Sequence, residues 1–159
     1  MKKTKQIQYV YPEPTQVSEV MIGYKNHIPT DKRLKISSSE DAWVVFAPFF
    51  VPFMEHHEEM YAALLNNANE VLAVIKVGQG DLTATLTSVR AVAQAGILLN
   101  ASGVILAHNH PSGNSTPSDA DKRLTRKVNE GLALLDMKLV DHIILTPGRH
   151  YSMAMNADM

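Results

Sequence analysis

The 159-residue chain has no cysteine. That absence excludes disulfides, thiolate nucleophiles, iron–sulfur clusters and cysteine-ligated zinc, so a transition-metal site would have to be built from histidine and carboxylate. Aromatic residues are scarce at 6%, and neither sign of charge dominates: 15 Lys+Arg face 16 Asp+Glu, a net charge of −1. This balance gives no electrostatic case for nucleic acid or an anionic membrane as a main partner. Long hydrophobic runs are missing as well, and nothing approaches the roughly 18 uncharged apolar residues of a membrane span. The basic start Met1-Lys2-Lys3-Thr4-Lys5 is not followed by an apolar stretch, so it does not read as a secretory signal, and a cytoplasmic protein is the expectation. What the chain does have is 45% apolar content, sufficient for one domain with a real core, and seven histidines.

Residues 1–36 carry Pro12, Pro14 and Pro29 with scattered charge and little periodicity, which reads as an extended N-terminal arm with a short strand near Glu19–Ile22. Residues 37–159 form the expected domain. Ser38 and Ser39 followed by Glu40-Asp41 signal a helix start, with Ala42 to Phe46 inside it and a stop before Pro48. Val71–Val77 reads as a strand ended by Gly78-Gln79-Gly80. Val89, Val92, Ala93, Gly96 and Ile97 recur at helical spacing, predicting a helix over 87–100. Gly103–Ala107 is a short buried-strand run, and Leu124, Val128, Leu132 and Leu135 mark one face of a second helix. Val140–Leu145 and Tyr151–Met155 close the chain as strands, so the interleaving predicts a mixed α/β domain. Glu55 to Leu65 has helical propensity throughout, and propensity alone makes it a helix.

Chemistry concentrates in His108-Asn109-His110-Pro111-Ser112-Gly113-Asn114-Ser115-Thr116-Pro117-Ser118-Asp119-Ala120-Asp121, the loop between a buried strand and an amphipathic helix. Histidines at i and i+2 leave a strand end on the same side and can share one metal. Pro111, Gly113 and Pro117 turn the loop and bring the helix start back toward them. Asp121, in the first helical turn, can supply a carboxylate as third ligand, leaving a fourth position for water as in catalytic zinc sites. A plainer explanation exists. Ser118 followed three residues later by Asp121 is close to a helix capping box, and Asp121 can cap and ligate at once.

His108-x-His110, seven residues, Ser118, two residues, Asp121 resembles the signature of JAMM (MPN+) metalloproteases. The fuller string Ile105–Gly113 with Pro117-Ser118-x-x-Asp121 resembles the RadC-like branch of that superfamily. Similarity extends over about Ser38 to Met155 and takes in Thr87-Ser88-Val89-Arg90, Leu99-Asn100-Ala101 and Leu135–His142. The resemblance implies a JAB/MPN fold: a curved mixed β-sheet flanked by two main helices, with a zinc site at one sheet end. It implies one Zn2+ per chain on His108, His110 and Asp121, with Ser118 holding a water or donating to a developing oxyanion. The general base in such proteins is a glutamate on an upstream strand. Matching Leu65–Leu72 to the family's Asp/Asn turn puts it at Glu58, with Glu59 one register away on the other sheet face. This choice needs 58–66 to be a strand.

The implied function is a zinc-dependent hydrolase of peptide or isopeptide bonds. The alternative is a DNA-repair-associated or partner-binding module, since the RadC-like family carries a repair label. Here the first 50 residues contain one glycine, Gly23, and their basic residues are largely offset by acids, so nucleic-acid binding by this chain alone is not expected. Zinc deaminase chemistry is excluded because it needs a cysteine pair. His142 matches the family and reads equally as a ligand's supporting residue or a satisfied core histidine. Arg90 reads as structural or substrate-facing, and His56, His57, His27 and His150 carry no motif. Residues 1–36 could pack on a partner or on another copy in a homo-oligomer.

Overall fold

The computed structural model describes residues 28–81, 84–85 and 88–159. The expected strand near Glu19–Ile22, most of the N-terminal arm, and Thr87 lie outside the described residues. The chain runs α1 (Ser39–Phe50), β1 (Glu59–Leu65), β2 (Val71–Asp81), β3 (Ala84–Thr85), α2 (Val89–Leu98), β4 (Gly103–Asn109), α3 (Asp119–Ala133), β5 (Lys138–Thr146) and β6 (Arg149–Ser152). The six strands form one mixed sheet in the order β3-β2-β1-β4-β5-β6. Among the described strands only β4 and β5 are parallel. α3 is the crossover between them, as parallel neighbours require.

Alternation along the strands sorts side chains to two faces. Ala63, Leu65, Ile105, Ala107, Ile143 and Leu145 pack against Ala42, Val45, Phe46 and Phe50 of α1. Met60, Ala62, Leu64, Val104 and Leu106 pack on the other face against Val92 of α2 and Val128 and Leu132 of α3. The mixed α/β expectation therefore stands, and among the described residues three α-helices flank the sheet, one on one face and two on the other.

Four boundaries differ from the sequence reading. α1 does not stop before Pro48 but runs through it to Phe50. Proline costs a helix the hydrogen bond to residue i−4, and Val44, which loses it here, lies on the exposed side of the helix. β2 does not end at Gly78 but continues to Asp81, because Glu59 and Met60 still pair with Gln79 and Gly78. A register shift between Met60 and Tyr61 skips Val77, next to Gly78, as bulges do. The last strand stops at Ser152, and residues 153–157 turn. Finally, the helical propensity of 55–65 loses to the sheet: 59–65 is a central strand, sandwiched between β2 and β4. Residues in that position gain two ladders and a buried face, which outweighs tenths of a kcal/mol of propensity.

The β1–β2 connection explains the register. Asn69 has φ 59°, a left-handed conformation that asparagine tolerates. The Asn66 Oδ1 accepts from the amides of Ala68 and Glu70, both at 2.9 Å. This closes a tight turn that fixes which β1 residues face which side.

Candidate metal centre

β4 is buried along its whole length and delivers His108 as its penultimate residue. The loop that follows is turned by Gly113, whose φ of 76° is a conformation glycine adopts without strain. It leads to Ser118, the N-cap of α3. Ser118 and Asp121 make the reciprocal capping box: Asp121 N–H donates to Ser118 Oγ at 3.2 Å, and Ser118 N–H donates to Asp121 Oδ2 at 2.8 Å. The Ser118 hydroxyl also donates to Asp121 Oδ2 at 2.6 Å. These contacts occupy Oδ2 and leave Oδ1 aimed at His108 Nε2, 3.2 Å away. Capping and presentation of the carboxylate are one arrangement.

His108, His110 and Asp121 converge so that one ligand atom from each lies within 4.8 Å of the others. The two Nε2 atoms are 2.8 Å apart, and His110 Nε2 is 3.6 Å from Asp121 Oδ2. Zinc with bonds of about 2.0–2.1 Å in tetrahedral geometry sets its ligand atoms about 3.3 Å apart, a value that the 2.8, 3.2 and 3.6 Å separations bracket. The side chain of His108 is 1% exposed, those of His110 and Asp121 12% and 14%, so the open side of the cluster is theirs.

Hydrogen bonding behind the cluster fixes which nitrogens are bare. The Thr125 hydroxyl has one proton and gives it to the Asp121 carbonyl, an acceptor only, at 2.6 Å. His142 Nδ1, 2.7 Å from the same Oγ1, must therefore donate. A neutral imidazole that donates at Nδ1 is bare at Nε2, so His142 Nε2 accepts from His108 Nδ1 at 2.8 Å. His108 Nε2 is left unprotonated toward the cluster. His110 reaches the same state directly, donating from Nδ1 to the Asn114 carbonyl at 2.6 Å. Two bare nitrogens and a carboxylate facing one another repel unless a proton or a cation sits among them, and a divalent cation satisfies all three.

The electrostatics register how strongly the crowded groups act on one another. Burial pushes His142 well below its ordinary pKa and the neighbouring His108 adds to this, so it is neutral. Burial alone would raise the Asp121 carboxyl, but His108, His110 and Ser118 reverse this and hold it far below the usual carboxylate range. His110 is pushed down by burial, yet Asp121 and the Asn114 carbonyl outweigh that and leave it above its ordinary value. Glu58, the residue before β1, adds to the upward pull on His110.

Met60 pairs with His108 where the β1–β4 ladder begins, and Glu58 lies two residues before that pair. The strand expected over 58–66 starts one residue later, at Glu59, so Glu58 immediately precedes it. Glu59 points to the other face, is 1% exposed, and takes Lys76 Nζ at 2.7 Å, Tyr61 Oη at 2.8 Å and His57 Nε2 at 2.9 Å. Neither His56 nor His57 joins the cluster. Sequence reasoning missed Thr125, whose signal was its i+4 spacing from Asp121 on one helix face.

A model of the RadC-like JAB domain matches residues 36–158. The chain belongs to the RadC-like JAB domain family. Among its relatives, a UPF0758 protein of Flavobacterium johnsoniae is 40% identical over 121 residues, covering 76% of this chain and 52% of its own length. A UPF0758 protein of Vibrio cholerae is 42% identical over 90 residues, 56% of this chain and 57% of its own. One from Cellvibrio japonicus is 33% identical over 141 residues, 87% of this chain and 62% of its own. The chain spans little more than half the length of the first two. Their names state no activity, so the reaction of this RadC-like JAB domain has to be argued from its site. No helix among the described residues is long and apolar enough to cross a membrane.

Proposed function

We propose that this domain is a zinc-dependent metallohydrolase acting on peptide or isopeptide bonds, working as a cytoplasmic protein. The observation that carries the reading is the convergence of two imidazoles and one carboxylate, with a second carboxylate, Glu58 in the residue before β1, near enough to act on His110. His108, His110 and Asp121 would hold one Zn2+. When bound, the metal supplies Lewis acidity that makes water ionisable near neutral pH, worth several kcal/mol of charge stabilisation.

The chain's own residues supply the rest. Glu58 takes the proton of the attacking water and passes it to the departing amine, the acid–base work such a bond requires. Ser118, exposed at the mouth of the cluster, offers a hydroxyl to the developing oxyanion, a contact of a kind worth about 3 kcal/mol in hydrolases. In the described geometry that proton rests on Asp121 Oδ2, so a rotation of the hydroxyl is part of the proposal. Thr125 and His142 keep the bare nitrogen of His108 toward the metal.

Metal analysis of the purified chain tests the first step: one equivalent of zinc, lost in His108→Ala, is the expected result. A panel of peptides and ε-lysyl isopeptide conjugates then tests turnover. A chain that neither holds zinc as purified nor gains it on reconstitution would remove the proposal.

A further inference from the structure

Asn109 lies between the two cluster histidines in sequence, so its side chain faces the other side of the sheet, where it is fully buried. Its Oδ1 accepts from the amide of Glu59 at 2.8 Å. Its Nδ2 donates to the carbonyls of His57 at 2.9 Å and Met54 at 3.1 Å, with that of Phe53 at 3.4 Å. An asparagine amide has two N–H donors and one carbonyl, and all are engaged.

Two of these contacts bracket a single residue. The His57 carbonyl belongs to the peptide unit before Glu58, and the Glu59 amide to the unit after it. Peptide units are rigid planes, so fixing both fixes the direction in which the Glu58 side chain leaves the backbone. The β1 ladder itself starts at Glu59, one residue too late to do this. We infer that Asn109 is a positioning residue: its buried amide clamps both peptide units of Glu58 to the strand that carries His108 and His110. One residue triplet, His108-Asn109-His110, thereby supplies two ligands on one face and the setting of the base from the other. This inference rests on the role proposed for Glu58 above.

The test uses the full chain loaded with Co2+ as a spectroscopic probe, comparing wild type, Glu58→Gln and Asn109→Ser. The visible bands are followed across pH, and amide hydrogen exchange is read in parallel. Glu58→Gln is expected to move the midpoint of the spectral change by about one unit, the size of effect one nearby charge exerts. Asn109→Ser is expected to move it in the same direction, at least half as far. Its cobalt affinity should stay within about 10-fold of wild type, below the loss typical when support of a ligand is removed. The Glu59 amide should exchange faster, while those of Ala62 and Leu64 keep their protection.

A wild-type midpoint in Asn109→Ser beside a shifted Glu58→Gln overturns the positioning role and leaves the hydrolase reading standing. Loss of cobalt binding in Asn109→Ser also overturns it, since the residue would then support the ligands. An unmoved midpoint in Glu58→Gln sinks the proposed role of Glu58, and this inference with it. Should Asn109→Ser not fold, Asn109→Asp is judged by the same criteria, because it keeps the acceptor for the Glu59 amide and loses the donors to His57 and Met54.

Discussion

Met60 stands directly opposite His108 in the antiparallel ladder of β1 and β4. Ahead of that pair stand two adjacent glutamates with different surroundings. Glu59 turns to the opposite face toward Lys76 and Tyr61, while Glu58, the residue before β1, acts on His110.

The two glutamates should therefore respond differently to the same substitution. Glu58→Gln is expected to keep its zinc and its thermal midpoint while losing turnover by 100-fold or more, in line with removal of about 10²–10⁴-fold of acid–base catalysis. Glu59→Gln is expected to keep turnover and lose about 1.5–3 kcal/mol of stability, because it ends charge-assisted bonds to a buried carboxylate. Denaturant unfolding and metal content on both variants check this. A Glu59→Gln chain that is stable and inactive would reverse the assignment.

Thr125→Val keeps the shape of the side chain and removes the hydroxyl that forces His142 to donate at Nδ1. The protonation order of His142 and His108 is then no longer fixed. Zinc affinity is expected to fall by about 10–100-fold, as it does when partners behind metal-bound histidines are removed. A competition titration against a chelator of known affinity measures it. An unchanged affinity would show that the Thr125–His142–His108 chain does not govern the site.

Zinc should raise the melting temperature, since a ligand that binds only the folded chain stabilises it by mass action. At about 100 times its dissociation constant the gain is about 2.7 kcal/mol, which for a chain of this size is about 5–10 °C. In Asp121→Asn the zinc-dependent shift should disappear. An equal shift in both proteins, read by scanning calorimetry, would place the binding elsewhere.

Acid should weaken the attachment of the last residues. Lys122 first, then Tyr151, hold the Asp158 carboxyl below its usual range. The Lys122 contact is 2.6 Å. A carboxylate with a lowered folded pKa adds stability above its unfolded value of about 3.9. That contribution is lost as pH falls through the folded value. Wild type should thus exceed Asp158→Asn in urea midpoint near pH 7, and the gap should close as pH falls below the ordinary carboxylate range and through the folded value. A gap of constant size across that range would contradict the linkage.

Much of the site could be read from the chain alone. The spacing His108-x-His110 at the end of a buried run, and Ser118-x-x-Asp121 at a helix start, are local patterns, and local patterns survive without knowledge of the fold. The mixed α/β class was legible for the same reason, from apolar periodicity. Other features were hidden because they depend on residues distant in sequence. Residues 59–65 form a strand only because β2 and β4 flank them, and the helix through Pro48 persists only because Val44 faces outward. Thr125 and His142 meet His108 through crossover α3 and strand β5, which no spacing rule connects. The Asn109 amide bonds the peptides on either side of Glu58, partners far from it in sequence. The sequence by itself determined which groups could bind a metal, since that is a matter of side-chain type and near-neighbour geometry. Only the tertiary structure decided that Glu59 turns away from them and which nitrogens are bare, because both follow from hydrogen bonds between separate elements.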